Sequence, residues 1–499
     1  MKIQAVKRTI GKFALWLRFY LAFLAARLVA FGCRITGRPG TSLPGVAALK
    51  IFPGLVRFLA PGYERVLAVT GTNGKTTTAN LLAHVLRKAG VRVAHNAEGA
   101  NMLPGAAAAL LRDCDWLGRP RSRVALLEVD EGSVGKVFAA ARPEIVIVTN
   151  YFRDQLDRYW ELERTTALLR SAVTELPGAT LILNGDDPLA AAVGRGHPRA
   201  RCFGVLRDAA PEPGAGSWEG RGADSGETRE ARFCLFCGAA LQYRYYHYGQ
   251  LGDYFCPGCG FRRPDLSFAA AGVSAGDVLA FTLHYQPPAS PSLPPQGGTS
   301  ILLKAPLRGF YNVYNVLGAA AAALTLGVPA ADLKAALLDY TPAPGRMEEF
   351  FFAGRPCTLA LIKNPAGVNE VLKTILARET EKALVIAIND LAADGRDVSW
   401  LWDADFARLA GARLKKIICA GRRAADLAVC LKYAGIDPGR LALAPDRAAS
   451  LRMLAQEAPE AEELYVLATY TNLFPYAGLL RRRGRRVEKG AAQGLPSLP

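Results

Sequence analysis

The residues that most restrict the fold are Thr70-Gly71-Thr72-Asn73-Gly74-Lys75-Thr76-Thr77, which end an apolar run, Val66 to Thr70, and open a helical segment, Thr76 to Ala89. Glycines here let main-chain N–H groups wrap an anion, and a helix N-terminus favours negative charge. Lys75 is placed to reach the terminal phosphates of a nucleotide, and Thr76 to ligate Mg²⁺. The loop is the shorter Gly-x-x-Gly-Lys-Thr variant, because Val69 stands where the longer P-loop pattern has a glycine. A strand that feeds a phosphate loop and then a helix belongs in a parallel sheet covered by helices. An α/β fold and ATP binding are therefore expected together, with Gly71, Thr72, Asn73, Gly74, Lys75, Thr76 and Thr77 as the contacts.

The alternation continues with apolar runs at Val124 to Leu127, Ile145 to Thr149 and Leu181 to Leu183. It breaks at Ala209 to Ala231 and at Gln286 to Thr299, both rich in turn and breaker residues, which reads as the edges of an insertion. It resumes at Ile301 to Leu303, with helical segments at Asn315 to Leu326 and Ala330 to Leu338, and a proline-containing linker at Thr341 to Gly345 closes the domain. Strands at Thr358 to Ile362, Leu384 to Ile388, Lys416 to Ala420 and Leu464 to Ala468 then predict a second, smaller Rossmann-like α/β domain. The expected division is a basic N-terminal segment (1–53), an ATP-binding domain (54–340) with an insertion (205–298), a C-terminal α/β domain (345–480) and a disordered basic tail (481–499).

Charge is uneven. The net charge is +17 over 499 residues, and ten Lys or Arg precede the first acidic residue, Glu64, which points to an anionic surface or substrate. Arg18 and Arg27 interrupt the apolar stretch Phe13 to Phe31, so neither a membrane span nor a signal peptide is expected. A basic helix on a membrane surface and a helix packed on its own domain both remain open. Outside two Cys-x-x-Cys pairs, the cysteines are scattered through apolar segments, as suits reduced thiols in a cytoplasm.

Those pairs, Cys234/Cys237 and Cys256/Cys259, are separated by eighteen residues. Four thiolates in two knuckles make a closed tetrahedral Zn²⁺ site, and Gly238 and Gly260 permit the knuckle turns. The interleaved tyrosines, Tyr243, Tyr245, Tyr246, Tyr248 and Tyr254, are expected to fill the small core of this module. The acidic stretch Glu219 to Glu230 beside it argues against nucleic-acid binding.

Two carboxylate-bearing segments stand out. Glu128 ends the apolar strand of Leu126-Leu127-Glu128-Val129-Asp130-Glu131, where a side chain faces the ligand crevice and can hold Mg²⁺; Asp130 and Glu131 rank behind it, with solvated loop charges as their alternative reading. In the last domain, Asn389 to Asp403 carries Asp394, Asp397 and Asp403 directly after a buried strand, either as functional groups or as an Asp-Gly turn capping the next helix.

The phosphate loop, Leu183-Asn184-Gly185-Asp186-Asp187-Pro188 and Tyr311-Asn312-Val313-Tyr314-Asn315, in this order, resemble Mur ligases and folylpolyglutamate synthases over roughly Thr41 to Glu348. The resemblance implies ATP-dependent formation of an acyl phosphate, then attack by an amine, with Asn312 and Arg346 near the nucleotide. Two departures are visible: Gln155 replaces a family histidine, and Lys363 in Ala360-Leu361-Ile362-Lys363-Asn364-Pro365 replaces another, in a segment that also lacks the family's acidic residue. Together with the four-cysteine insertion and the last-domain segments, this is similar to the branch of the Mur ligase family formed by the synthetase subunits of lipid II isoglutaminyl synthase. That branch implies amidation of D-glutamate in lipid II, with ammonia from a partner glutaminase of the class I amidotransferase type. It also implies an aspartate lent to the partner's Cys and His, for which Asp397 ranks ahead of Asp394 and Asp403. The chain has five histidines, none in an evident Cys-His or Ser-His arrangement of its own. The competing readings are a self-contained amino-acid ligase and a zinc-ribbon, P-loop nucleic-acid-binding protein.

Overall fold

The computed structural model describes residues 2–36, 40–96, 100–153, 162–207, 230–286 and 298–486. Gln155, the flanks 208–229 and 287–297, and residues 487–499 lie outside these.

The first domain is built on a nine-stranded sheet. Its strands are β1 (Arg65–Thr70), β2 (Val93–His95), β3 (Val124–Glu128), β4 (Ile145–Val148), β5 (Thr180–Asn184) and β6 (Ala200–Val205). After the hairpin β7 (Gln242–Tyr248) and β8 (Leu251–Phe255), which form a separate two-stranded sheet, come β9 (Leu266–Ala275), β10 (Leu279–Tyr285) and β11 (Thr299–Ala305). The order is β11-β10-β9-β6-β5-β4-β1-β3-β2, parallel from β2 to β9 and antiparallel beyond it. β1 lies between β4 and β3, where the strand order reverses, so its C-terminal end opens into the crevice that such sheets use for ligands. Helices Lys75–Lys88 and Asn312–Thr325 cover one face, where buried leucines, valines and alanines of both meet β1, β4 and β6.

The expected insertion of 205–298 is thereby narrowed. β9 and β10 belong to the main sheet, and the described part that leaves it is the four-cysteine module around β7 and β8.

The second domain has a seven-stranded sheet made of β12 (Glu348–Phe352), β13 (Arg355–Leu361), β14 (Lys382–Ala387), β15 (Leu414–Ala420), β16 (Leu441–Leu443), β17 (Glu463–Ala468) and β18 (Arg485–Arg486). Its order, β16-β15-β14-β17-β13-β12-β18, is parallel through β13 with an antiparallel edge. The tail reading of 481–499 is corrected at its start. Arg481, Arg482 and Arg483 form the last turn of helix Tyr470–Arg483, where cations suit the helix dipole, and β18 pairs with β12.

The N-terminal segment forms helices Lys2–Ile35 and Leu43–Ile51. Phe19, Ala22 and Ala26 are buried in the same core cluster as Ala106 and Leu110 of helix Leu103–Asp113, so one face packs on the domain. Leu17, Leu21, Leu24, Leu28, Phe31 and Ile35 remain exposed on another face. By length and composition alone Ala14–Ile35 passes for a membrane span, against the sequence expectation, because isolated arginines leave its mean hydropathy at 1.6.

Candidate active site

The phosphate loop is held open by its neighbours. Gly71 and Gly74 have φ of +117° and +87°, and a Cβ at either would collide with Thr149 or with Asn315, so only glycine fits both the backbone and the space. Asn150, just beyond β4, accepts from the Asn73 N–H at 2.9 Å and donates from Nδ2 to the Asn73 carbonyl at 3.1 Å, while its own carbonyl takes the Thr72 N–H at 2.7 Å. Thr72 Oγ1 is tied to both main-chain groups of Phe152.

Lys75 opens its helix, buried, with Nζ donating to the Gly71 and Thr72 carbonyls and paired at 2.9 Å with Glu131 Oε2. Burial works against its charge, but Glu131, Asp130 and Glu128 outweigh that and raise its pKa. The alternative of a solvated loop charge does not hold for Glu131, which is buried beside the phosphate loop. Asp130 accepts from the Gly132 N–H at 3.1 Å and caps the short turn that puts Glu131 there.

Glu128 is placed as expected at the end of β3, where Asn96 clamps its backbone through a 2.7 Å bond to the N–H and a 2.8 Å bond to the carbonyl. Its Oε1 accepts from Thr76 Oγ1 at 3.1 Å, whereas Oε2 is buried with no hydrogen-bond partner among the described residues. Burial raises the Glu128 pKa; Lys75, the Thr76 hydroxyl, Arg346 and Lys363 pull it back. A buried carboxylate oxygen without a proton donor, next to a threonine hydroxyl, fits a hard divalent cation.

The second domain closes over this loop. Lys363 Nζ donates to the Thr72 carbonyl at 3.4 Å, and Asn364 Nδ2 donates to Asn73 Oδ1 at 3.1 Å while its Oδ1 caps helix Pro365–Leu376. A cleft of about 760 Å³, counted to its open mouth, lies between the domains; Asn73, Thr77, Asn312, Arg346 and Lys363 line it. Asn312 starts helix Asn312–Thr325, and its Oδ1 accepts from Asn315 at 2.8 Å. The structure thus gathers the P-loop residues, Glu128, Asn312, Arg346 and Lys363 in one place.

Asp394, Asp397 and Asp403 lie apart from that cleft's lining. Asp394 is buried and committed: its two oxygens accept from the Thr471 N–H at 2.7 Å and hydroxyl at 2.6 Å. Asp403 bridges the domains through a 3.1 Å ion pair with Arg153. Asp397 is half-buried and accepts from the Ser399 N–H at 2.8 Å.

In the inserted module the four thiol sulfurs all lie within 4.8 Å of one another. Gly238 and Gly260 take φ of +74° and +72° in the knuckle turns, as the sequence predicts. Tyr243 and Tyr254 are buried as its small core, with Leu241 and Phe261 against them. Four converging cysteines with this turn geometry fit a tetrahedral soft-ligand metal site.

The sequence is similar to characterised proteins along most of its length. Residues 361–473 match the family model of the MurT ligase C-terminal domain and 69–210 that of the Mur ligase middle domain. The chain is 32% identical over 421 residues to the lipid II isoglutaminyl synthase (glutamine-hydrolysing) subunit MurT of Staphylococcus aureus, covering 84% of this chain and 89% of that one. With the subunit of the same name from Streptococcus pneumoniae it shares 31% identity over 473 residues, 94% of this chain and 98% of the relative. Among solved structures, a pseudomurein peptide ligase type C from Methanothermus fervidus superposes with a TM-score of 0.61 at 21% identity, over 84% of this chain and 78% of that one, a likeness of fold.

Proposed function

Since this chain belongs to the MurT family, whose relatives are subunits of glutamine-hydrolysing lipid II isoglutaminyl synthase, we propose that it amidates the α-carboxylate of D-glutamate in lipid II to D-isoglutamine, with ammonia from a partner glutaminase. It is an ATP-dependent ligase of the Mur type. The observation that carries the reading is the pair of Thr76 Oγ1 and the orphaned Glu128 Oε2 beside buried Lys75, under a lid formed by Lys363 and Asn364.

In the proposed reaction a carboxylate oxygen of the substrate attacks the γ-phosphorus of ATP and ADP leaves. Ammonia then attacks the acyl carbon, phosphate departs with the C–O electron pair, and the nitrogen loses a proton. The P-loop N–H groups and Lys75 bind the phosphates, while Arg346 and Lys363 bring positive charge from across the cleft. Asn312 sits at the cleft for the nucleotide. Thr76 and Glu128 would hold Mg²⁺, which when bound neutralises developing phosphate charge. Asp397 is the carboxylate offered to the glutaminase: Asp394 is spent on Thr471 and Asp403 on Arg153. The basic N-terminal helix, with its exposed stripe from Leu17 to Ile35 and exposed Arg18, Arg27 and Arg34, suits the cytoplasmic face of an anionic membrane, where a lipid-linked substrate resides.

Cys234, Cys237, Cys256 and Cys259 would hold a structural Zn²⁺. Cys237→Ser is expected to reduce zinc content from about one per chain and to lower the melting temperature, as metal analysis and a thermal melt would register; a full complement of zinc in the variant would remove Cys237 from the ligand set.

The function is tested by supplying lipid II, ATP and Mg²⁺ with ammonium or glutamine, each with and without a partner glutaminase. Amidation with ammonium alone, and with glutamine only in the partner's presence, is the expected result. ATP consumption driven by a free amino acid, with no amidation, would replace the proposal with a self-contained ligase.

A further inference from the structure

The inserted module is joined to the nucleotide cleft through the tip of its hairpin. Tyr248, the last residue of β7, lines that cleft with Asn73, Asn150, Asn312 and Arg346. One ring face stacks on Phe152, centroids 5.7 Å apart and 13° between planes, and Tyr314 meets it edge-on at 5.8 Å. Tyr248 also borders a smaller cavity shared with Gly249, Pro365, Ala366 and Glu370, so the tip reaches the helix of the second domain that caps the cleft.

The tip is fixed on the first domain by contacts that leave it little freedom. Gly249 has φ +52°, and a Cβ there would stand 2.7 Å from Phe152 Cε1. The Gln250 side-chain amide donates to the Tyr151 carbonyl, the Gln250 carbonyl accepts from Tyr243 Oη at 3.0 Å, and the Gly252 N–H donates to the Asp186 carbonyl at 2.9 Å. The Asp186 carboxylate, fully buried, takes Arg263 Nε at 2.7 Å and Tyr314 Oη at 2.8 Å. The Asn-Gly-Asp-Asp turn is thus the seat of the hairpin. At the other end, β8 stops one residue before Cys256 and β7 starts five after Cys237, so the metal knuckles fasten both strands of a two-stranded ribbon that alone is marginal in water.

We infer that Tyr248 contacts the bound nucleotide as a wall of its site, and that the four-cysteine module serves to hold this tyrosine in place. Metal occupancy at the cysteines is thereby coupled to nucleotide affinity. The inference rests on the nucleotide reading of the cleft.

The test is Mg²⁺–ADP binding to the full chain by calorimetry. Tyr248→Ala is expected to raise Kd about tenfold, the loss typical of an aromatic surface against a base, while Tyr248→Phe stays within about twofold of the parent. Stripping the metal with a chelator is expected to raise Kd in the parent protein and to add little in Tyr248→Ala, because both changes remove one contact. Tyr248→Leu, which keeps apolar volume in the core, carries the same expectation if the alanine variant does not fold. An unchanged Kd in a folded Tyr248 variant, or an equal effect of the chelator in variant and parent, overturns the inference while the cleft remains a nucleotide site. A parent protein that binds no nucleotide overturns the reading of the cleft and this inference with it.

Discussion

Replacing Asp397 by Asn is expected to lower glutamine-driven amidation by on the order of 10³-fold while ammonium-driven amidation stays within about twofold. An aspartate beside a Cys-His pair orients the imidazole and stabilises its charged form; asparagine keeps the shape and removes the charge. The split between nitrogen donors isolates that role, because ammonium bypasses the glutaminase and uses only the ATP site. The neighbouring aspartates behave differently for reasons visible in their bonds. Asp394→Asn keeps an acceptor for the Thr471 N–H but puts an N–H opposite the Thr471 hydroxyl, which must turn its proton away, and the loss of that charge-assisted bond is expected to cost about 1–3 kcal/mol of stability. Both activities then fall together at elevated temperature. Asp403→Asn weakens the Arg153 pair between the domains, and a half-exposed pair of this kind contributes little. If Asp397→Asn reduces both donors equally, or neither, the assignment to the partner's triad is wrong, and steady-state assays of the complex with each donor decide it.

What the sequence disclosed was chemistry tied to spacing. The P-loop, with glycines that only glycine can satisfy, and the cysteine knuckles, with left-handed glycines at 238 and 260, were readable because local geometry dictates the residue. Glu131 was not readable, since a carboxylate two or three residues past a strand looks the same whether it meets water or Lys75. Only the fold, which turns the chain at Asp130, decides between them. Tyr248 was hidden for a similar reason: a tyrosine among five in a metal module reads as core, and its access to the cleft depends on how the hairpin docks on the Asn184 to Asp187 turn. The strands β9 and β10 were assigned to the insertion because the breaker-rich stretches on either side obscure where the main sheet resumes. The basic run at 481–483 read as a solvated tail, although cations are what the last turn of a helix favours.

Glu128→Gln is expected to lower ATP turnover by on the order of 10²-fold or more and to raise the Mg²⁺ concentration needed for half-maximal rate. The substitution keeps volume and leaves the backbone clamp by Asn96 intact, so the strand end should not move. It also neutralises a carboxylate that burial already disfavours, and the thermal stability of the nucleotide-free protein is expected to be unchanged or higher. That combination separates a metal-holding role from a structural one: a structural glutamate would lose stability first and activity as a result. Lys75→Ala is a poorer probe of the same site, because it would leave Glu131 buried without its cation, a change that typically costs about 3–5 kcal/mol. ADP release measured across a Mg²⁺ titration, beside a thermal melt of each protein, gives both readouts. Unaltered turnover and Mg²⁺ dependence in a folded Glu128→Gln protein would move the cation away from Thr76 and require the orphaned oxygen to have another occupant.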